Sequence, residues 1–394
     1  MKWNHDRQWN YARQCRPIRD MFTDTRLDLS AMRPVELATD ASEIMQTLPQ
    51  QVLTGSGLVY TASLDGGITR RPGRKGFEYF DAGGNRVRDP SELSRIASLA
   101  IPPAYTDVVI SANPNSHLQA VGIDARGRRQ YRYHPDWTAE RGKAKFDKLP
   151  EFANSLPSLR ERVDRDLSAK KPSYEKALAT VVHVMDNLYI RVGNQSYAVQ
   201  NGSFGLTTLR NRHVRIEGST VHFRFKGKSG REWNVSHNDR RLAGAIKRIQ
   251  DLPGQSLFQY LDDDGKPHQL TSQDVNDYIK QAGGGEFSSR QFRTWGATCM
   301  AAFSLAMIEA GPSKRERARQ VNEVIDAVAA KLVNTRSVCR ASYIHPKVFE
   351  DFENGCLSDL ARMGKTRSAR LLDWMDEDEI CVLKWLTSSA RRGE

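Results

Sequence analysis

Apolar residues follow two rhythms along this chain, and the change between them limits the folds open to it. From Gly57 to about residue 137, short β-like runs are broken by the turn signals Gly66-Gly67, Pro72-Gly73, Gly83-Gly84-Asn85 and Asp89-Pro90. The last of these runs, Arg128 to Tyr133, stops at His134-Pro135. Beyond it the spacing turns helical, with Ala177, Val181, Val184, Met185 and Leu188 recurring at three and four. The same spacing returns at Phe292, Trp295, Cys299, Phe303 and Met307, and again at Val321, Val324, Ile325, Val328 and Leu332. Between these helices lies a β interlude. Val214 and Ile216, then Val221, Phe223 and Phe225, alternate across the turn Glu217 to Thr220, and Gly227-Lys228-Ser229-Gly230 turns the chain into Trp233 and Val235. This pattern predicts a three-stranded meander with a lysine at one hairpin tip.

The expected fold class is therefore α+β. A small β-rich N-terminal domain spans residues 51–137, and a mainly α-helical domain with a small antiparallel β-meander spans 138–394. Residues 1–50, with seven basic and seven acidic side chains and little periodicity, are expected to be an extension. A length of 394 residues agrees with two or three domains and can support a hydrophobic core without disulfides.

Lys and Arg number 59 against 47 Asp and Glu, a formal net charge of +12, which makes a polyanion the leading partner. The apolar run Met300 to Ile308 is under half of the ~20 residues a membrane span needs. The first residues, MKWNHDRQWNYARQ, lack the apolar stretch of a secretory signal. Five scattered cysteines, with no C-x-x-C pair, argue against a disulfide framework or a thiolate zinc site. A cytoplasmic polyanion-binding protein is expected.

The basic charge is unevenly placed. Arg191, Arg210, Arg212, Arg215, Arg224, Lys226, Lys228 and Arg231 fall in a stretch whose single acid is Glu217. Solvated faces normally mix signs, so this bias favours phosphate contact over a merely soluble surface. Gly227-Lys228-Ser229 imitates the end of a nucleotide-binding loop, but the required first glycine falls at His222 and the lysine lies between strands. No dinucleotide-binding glycine motif, H-E-x-x-H or EF-hand loop is present. No cofactor, nucleotide or metal is expected.

Several segments in order carry a specific likeness: Gly127 to Tyr133, Ile190-Arg-Val-Gly-Asn-Gln-Ser-Tyr197, Gly205 to His213, Phe225-Lys-Gly-Lys-Ser-Gly230, Phe292-Arg-Thr-Trp295 and Asn334 to Pro346. Together they resemble the type IB DNA topoisomerases, in the bacterial, poxvirus-like branch, over roughly residues 50–350. The resemblance implies a monomeric enzyme of the bacterial nucleoid that relaxes supercoiled duplex DNA, with two lobes closing around the duplex. It makes Tyr343 the nucleophile, Arg191 and Arg293 the phosphate-clamping arginines, and Lys228 the general acid. Asn334 stands where poxviral members place a histidine, and offers a hydrogen bond without a titratable charge. Arg290 stands where relatives often carry lysine; a guanidinium can hardly release a proton, so an auxiliary acid role there is in doubt. Gln130, Tyr131 and Tyr133 match a segment that contacts DNA, and Arg210 and Arg212 join the expected DNA-binding set.

The chemistry so implied needs these residue types. Tyrosine attack on a backbone phosphorus gives a 3′-phosphotyrosine and frees a 5′-hydroxyl, exchanging one phosphodiester for another with no need of ATP. Guanidiniums suit the charge that builds on the equatorial oxygens, and a lysine of pKa ~10.4 can protonate the departing oxygen. No dedicated base is evident in the sequence. Other readings remain open at this stage. Lys226 rivals Lys228, Arg290 and Arg293 fit the polar side of an amphipathic helix, Asn334 fits a helix terminator, and Gln130, Tyr131 and Tyr133 fit a surface strand. A tyrosine recombinase would share Arg, Lys, Arg and Tyr, but its usual histidine is Arg290 here. A catalytically inert DNA-binding scaffold is the third possibility.

Overall fold

The computed structural model describes residues 57–390 except 75, 126, 171 and 172, so the expected extension over 1–50 lies outside the described residues. The chain divides between Asp147 and Lys148 into two compact units.

The first unit is built on an antiparallel five-stranded sheet: β1 (Ile68–Gly73), β2 (Gly76–Phe80), β3 (Thr106–Ile110), β4 (Leu118–Ile123) and β5 (Arg129–Tyr133), in the order β2-β1-β3-β4-β5. Helix α1 (Pro90–Ser98) starts where the Asp89 carboxylate accepts hydrogen bonds from the amides of Ser91 and Glu92, with Pro90 in the first turn. It lays Ile96 against Ile68, Val108, Ile110 and Ala120. Alternation along the strands gives the sheet a second, smaller apolar cluster of Leu64, Leu118 and Val121, against which Tyr131 and Tyr133 pack. Helix α2 (Pro135–Asp147) belongs to this unit.

The second unit is mainly helical. It runs through α3 (Leu149–Leu167), α4 (Tyr174–Leu188) and α5 (Gln195–Asn201) into the meander β6 (Val214–Glu217), β7 (Thr220–Lys226) and β8 (Glu232–Asn238). After α6 (Arg240–Gln250) and the small ribbon β9 (Gln259–Leu261) and β10 (Pro267–Gln269) come α7 (Ser272–Gly283), α8 (Ser289–Ala306) and α9 (Lys314–Lys331). The shorter α10 (Arg336–Ser342), α11 (Lys347–Glu353) and α12 (Ala369–Trp374) precede the last helix, α13 (Glu377–Ala390). Among the described residues no helix is long and apolar enough to cross a membrane.

Helix α8 is the centre of this unit. Every residue from Phe292 to Ala302 is buried, so it has no solvent face over that length. Phe292 meets Phe152 of α3 edge-on at 5.2 Å, and fully burying such a ring is worth about 1.5–3 kcal/mol.

A buried ion network ties the end of the chain to this core. Arg160 of α3 donates from Nε to Asp186 at 2.9 Å and from Nη1 to Glu379 at 2.6 Å, and Nη1 also reaches the carbonyl of Trp374. Trp295 of α8 donates its indole N–H to Glu379 at 2.8 Å. A guanidinium this deep is tolerated because two carboxylates face it.

Candidate active site

Five segments of the second unit carry the residues singled out in its sequence, and the structure draws four of those residues into one cluster: Arg191, Arg293, Asn334 and Tyr343.

Arg191 follows α4, which ends with Tyr189 in the left-handed region at φ 57°. Its carbonyl accepts from Leu206 N at 2.9 Å, and the next carbonyl, of Val192, accepts from Thr207 N at 2.7 Å. Here two glycines meet backbone to backbone. A Cβ on Gly205 would lie 2.5 Å from Cα of Gly193 and 2.7 Å from the Arg191 carbonyl, and Gly193 itself sits at φ 102°. The glycines of the segments 190–197 and 205–213 thus make the close approach that fixes Arg191.

Arg293 is 3% exposed. Its Nη2 donates to the carbonyl of Leu332 at 2.9 Å and its Nη1 to that of Tyr189. Both carbonyls belong to helix C-caps, of α9 and α4, where the helix dipole favours a cation. The amphipathic alternative for this arginine is thereby set aside, since α8 offers it no water. Burial, and then the neighbouring Arg191, lower its pKa to about 10, which leaves it charged at neutral pH.

Asn334 follows α9 across Val333, a β-branched residue at φ 50°, and its own amide donates to Ala329 O at 2.9 Å. It does end the helix, and its side chain also enters the cluster: Oδ1 accepts from Arg191 Nη2 at 2.7 Å. Left-handed φ at valine is strained, a condition that gathers at functional sites.

Tyr343 caps the C-terminus of α10 and is half-buried. Its carbonyl accepts from Thr298 of α8 at 3.3 Å, and the same hydroxyl accepts from His345 N at 3.1 Å. The guanidinium of Arg293 lies over its ring, 4.9 Å from the centroid. Burial pushes the phenol up, but the positive charges of Arg293, Arg191 and Arg290, with a hydrogen bond from Arg293, pull it down to about 7. Arg290, one turn before Arg293 and half-buried, thus acts on the phenol by its charge.

Lys228 sits on the β7–β8 hairpin. Its Nζ lies 5.9 Å from the centroid of the Tyr197 ring. The tip is shaped by Gly227, whose Cβ would strike Trp233 at 2.7 Å, and by Ser229 at φ 61°. Arg231, at the foot of the same hairpin, donates to the carbonyl of Asn334 at 3.4 Å and so docks the hairpin beside the cluster.

Two buried donors of the cluster, Nε of Arg293 and Nδ2 of Asn334, reach no protein oxygen or nitrogen acceptor. Buried polar groups are nearly always satisfied, and two such donors in a positive cluster suit an acceptor-rich anion. Cys339 lies under the same cluster at 0% exposure; burial raises its thiol to about 11, against the pull of Arg293 and Arg191.

The remaining expected residues lie elsewhere. Arg210 and Arg212 are exposed, with Arg210 5.9 Å from the Phe204 ring centroid. In the first unit, Gln130 donates to Asp124 at 2.9 Å, and the rings of Tyr131 and Tyr133 stack 6.3 Å apart, half-buried on the smaller apolar cluster. Thr298, Tyr189 and Cys339 carry no sequence signal of a place in the site, and Arg231 stands in the sequence only as one basic residue of the run 191–231.

Residues 134–365 match the family model described as the eukaryotic DNA topoisomerase I catalytic core, and residues 76–124 match the bacterial DNA topoisomerase IB N-terminal domain. The chain is similar to the DNA topoisomerase 1B of Acanthamoeba polyphaga mimivirus, with 32% identity over 295 residues, covering 73% of this chain and 88% of that protein. It is also similar to the DNA topoisomerase 1B of vaccinia virus (strain Copenhagen), with 26% identity over 220 residues, covering 54% of this chain and 66% of the relative. With its catalytic-core match spanning more than half of its length, the chain belongs to the type IB DNA topoisomerases, of the bacterial and poxvirus-like kind.

Proposed function

We propose that this chain relaxes supercoiled duplex DNA by reversible transesterification at one strand, with Tyr343 as nucleophile. The observation that carries this is the pairing of Tyr343, its phenol lowered to about 7, with buried donors of Arg293 and Asn334 beside it that reach no protein oxygen or nitrogen acceptor. A phosphate is the anion that meets both features. It accepts from several donors at once and offers a phosphorus to the phenolate.

In the forward step the Tyr343 oxygen bonds to phosphorus and the bond from phosphorus to the 5′-oxygen breaks, leaving a 3′-phosphotyrosine. Lys228 gives its proton to the departing 5′-oxygen; resealing reverses both transfers. Since the neighbouring guanidiniums already favour the phenolate, no separate base is required. Arg191 and Arg293 hold the equatorial oxygens as charge builds there, and Asn334 adds a neutral donor. Bond energy is kept in the covalent link, so no ATP is required, and the guanidiniums and Lys228 take the charge-stabilising and proton-donating parts that a metal would otherwise play. The five residues lie in one unit of one chain, so a monomer suffices. The exposed arginines Arg210 and Arg212, and the strand residues Gln130, Tyr131 and Tyr133, serve as contacts to the duplex.

Supercoiled plasmid incubated with the protein in EDTA, without ATP, is expected to become relaxed circles, and denaturant added during turnover is expected to trap a covalent protein–DNA adduct. Tyr343→Phe is expected to abolish both while DNA binding persists. Relaxation that persists in Tyr343→Phe, or that requires ATP or a divalent ion, overturns the proposal.

A further inference from the structure

Outside the candidate active site, three metal-ligating side chains from three elements converge. His183 of α4, His237 of β8 and Asp239, the N-cap of α6, place one ligand atom each within 4.8 Å of one another. We propose that they form a site for one divalent transition-metal ion of the zinc type, which staples α4 to the meander.

The donor set is imidazole, imidazole and carboxylate, which suits zinc and its neighbours better than magnesium or calcium. Zinc bonds of ~2.0–2.1 Å set tetrahedral ligand atoms roughly 3.3 Å apart, so the observed spacing needs only small rotations of side chains. His183 Nε2 and Asp239 Oδ2 already stand 2.9 Å apart.

The ligands are held in place by what lies behind them. Oδ1 of Asp239 accepts from the amides of Arg241 at 2.8 Å and Leu242 at 3.0 Å, which aims Oδ2 at His183. Outer contacts of this kind orient ligands and raise affinity. His183 is buried on a helix whose flanks are core, and His237 is fixed by its strand pairing with Val221. His237 and Asp239 are only half-buried, which leaves a path for the ion and room for water as a fourth ligand. The positive end of α6 opposes a cation here, but the full charge of Asp239 lies between that end and the site and outweighs its half charge.

The placement gives the ion a structural purpose distinct from the strand-transfer chemistry. Helix α4 leads through Tyr189 to Arg191, and β8 leads back to the hairpin of Arg231 and Lys228. A metal bridging them restrains two segments that carry proposed active-site residues. The signal was faint in sequence because His183 and Asp239 are 56 positions apart and form no spaced motif.

The test uses full-length protein stripped with EDTA, desalted, and titrated with Zn2+ by calorimetry and with Co2+ by visible absorption. One ion per chain, tetrahedral-type Co2+ bands and a Zn2+-dependent rise in melting temperature are expected. His237→Ala is expected to weaken Zn2+ binding by at least about tenfold, no less than an outer-contact loss. Asp239→Asn separates ligand from cap, since asparagine caps a helix as well as aspartate but brings no charge. It is expected to keep the helix cap, to lower the metal-free melting temperature only by what the His183 contact contributes, and to lose Zn2+ affinity together with the Zn2+-dependent rise. Both variants are expected to relax plasmid normally in EDTA, so failure of the metal site and failure of the proposed reaction give separate results. Absence of Zn2+ binding by the wild type, or binding equal in wild type and both variants, overturns the proposal.

Discussion

The Arg293 guanidinium lies over the Tyr343 ring, 4.9 Å from its centroid, while two of its nitrogens are occupied by the helix-end carbonyls of Tyr189 and Leu332. The arginine is therefore held by backbone before any substrate arrives. Preorganised charge of this sort needs no rearrangement as the transition state forms.

The Tyr343 phenol should reveal itself in pH dependence. With a folded value of about 7, single-turnover strand cleavage is expected to rise with pH up to about 7 and then level off. Stability follows the same group. Its pKa is depressed from an unfolded value of ~10, so its stabilisation is full above ~10 and is lost as pH falls through the folded value. Denaturation of wild type and Tyr343→Phe at several pH values should show the wild type gaining on the variant between those limits.

Arg293→Lys keeps a charge but gives up the planar fork that reaches two carbonyls. Cleavage is expected to slow by about 10²–10³-fold, the usual loss for one such donor, with DNA affinity changed far less. Quenched single-turnover cleavage and a binding titration measure the two effects separately.

Gly205→Ala sets a methyl against the backbone of Gly193, where no flexible side chain can move aside. The expected loss is about 1–3 kcal/mol or more of stability, with Arg191 displaced and cleavage impaired. Gly244→Ala is the contrasting substitution. Gly244 lies inside α6 with nothing within 4 Å of a new Cβ, and its variant should be more stable by about 0.5–1 kcal/mol. Urea denaturation of both variants checks the pair.

Glu379→Ala leaves Arg160 with half of its charge partners and takes away the acceptor of Trp295. Breaking a buried pair on one side typically costs about 3–5 kcal/mol. A lowered melting temperature is expected, together with impaired cleavage, because Trp295 is two positions from Arg293 on α8.

Local pattern carried much of this fold. The periodicity of Phe292, Trp295 and Cys299 marked α8, and alternation at Val221, Phe223 and Phe225 marked the meander, because each signal lies within one element. The burial of Arg293 did not show, since a polar residue on a helix says nothing of what covers it. Its cover comes from Tyr189 and Leu332, whose carbonyls belong to other helices. Arg231 read as one more surface cation until the hairpin brought it to the Asn334 carbonyl. The network of Arg160 and Glu379 joins residues 219 positions apart, which no short motif can announce. Thr298 was equally silent: an inward hydroxyl on an apolar helix gains its meaning only from the chain that crosses it.

The ion network also bears on the order in which this protein is made. Tyr343 leaves the ribosome before Glu379, so a growing chain can hold every residue proposed for strand transfer while Arg160 still lacks one of its two carboxylates. Until Glu379 follows, Arg160 is a buried guanidinium facing one carboxylate, and the Trp295 indole of α8 lacks its acceptor. A chain terminated just after Pro346 would hold Tyr343 and its neighbouring arginines while Arg160 faces Asp186 alone, and it is expected to be less stable and slower in strand cleavage than the longer chain.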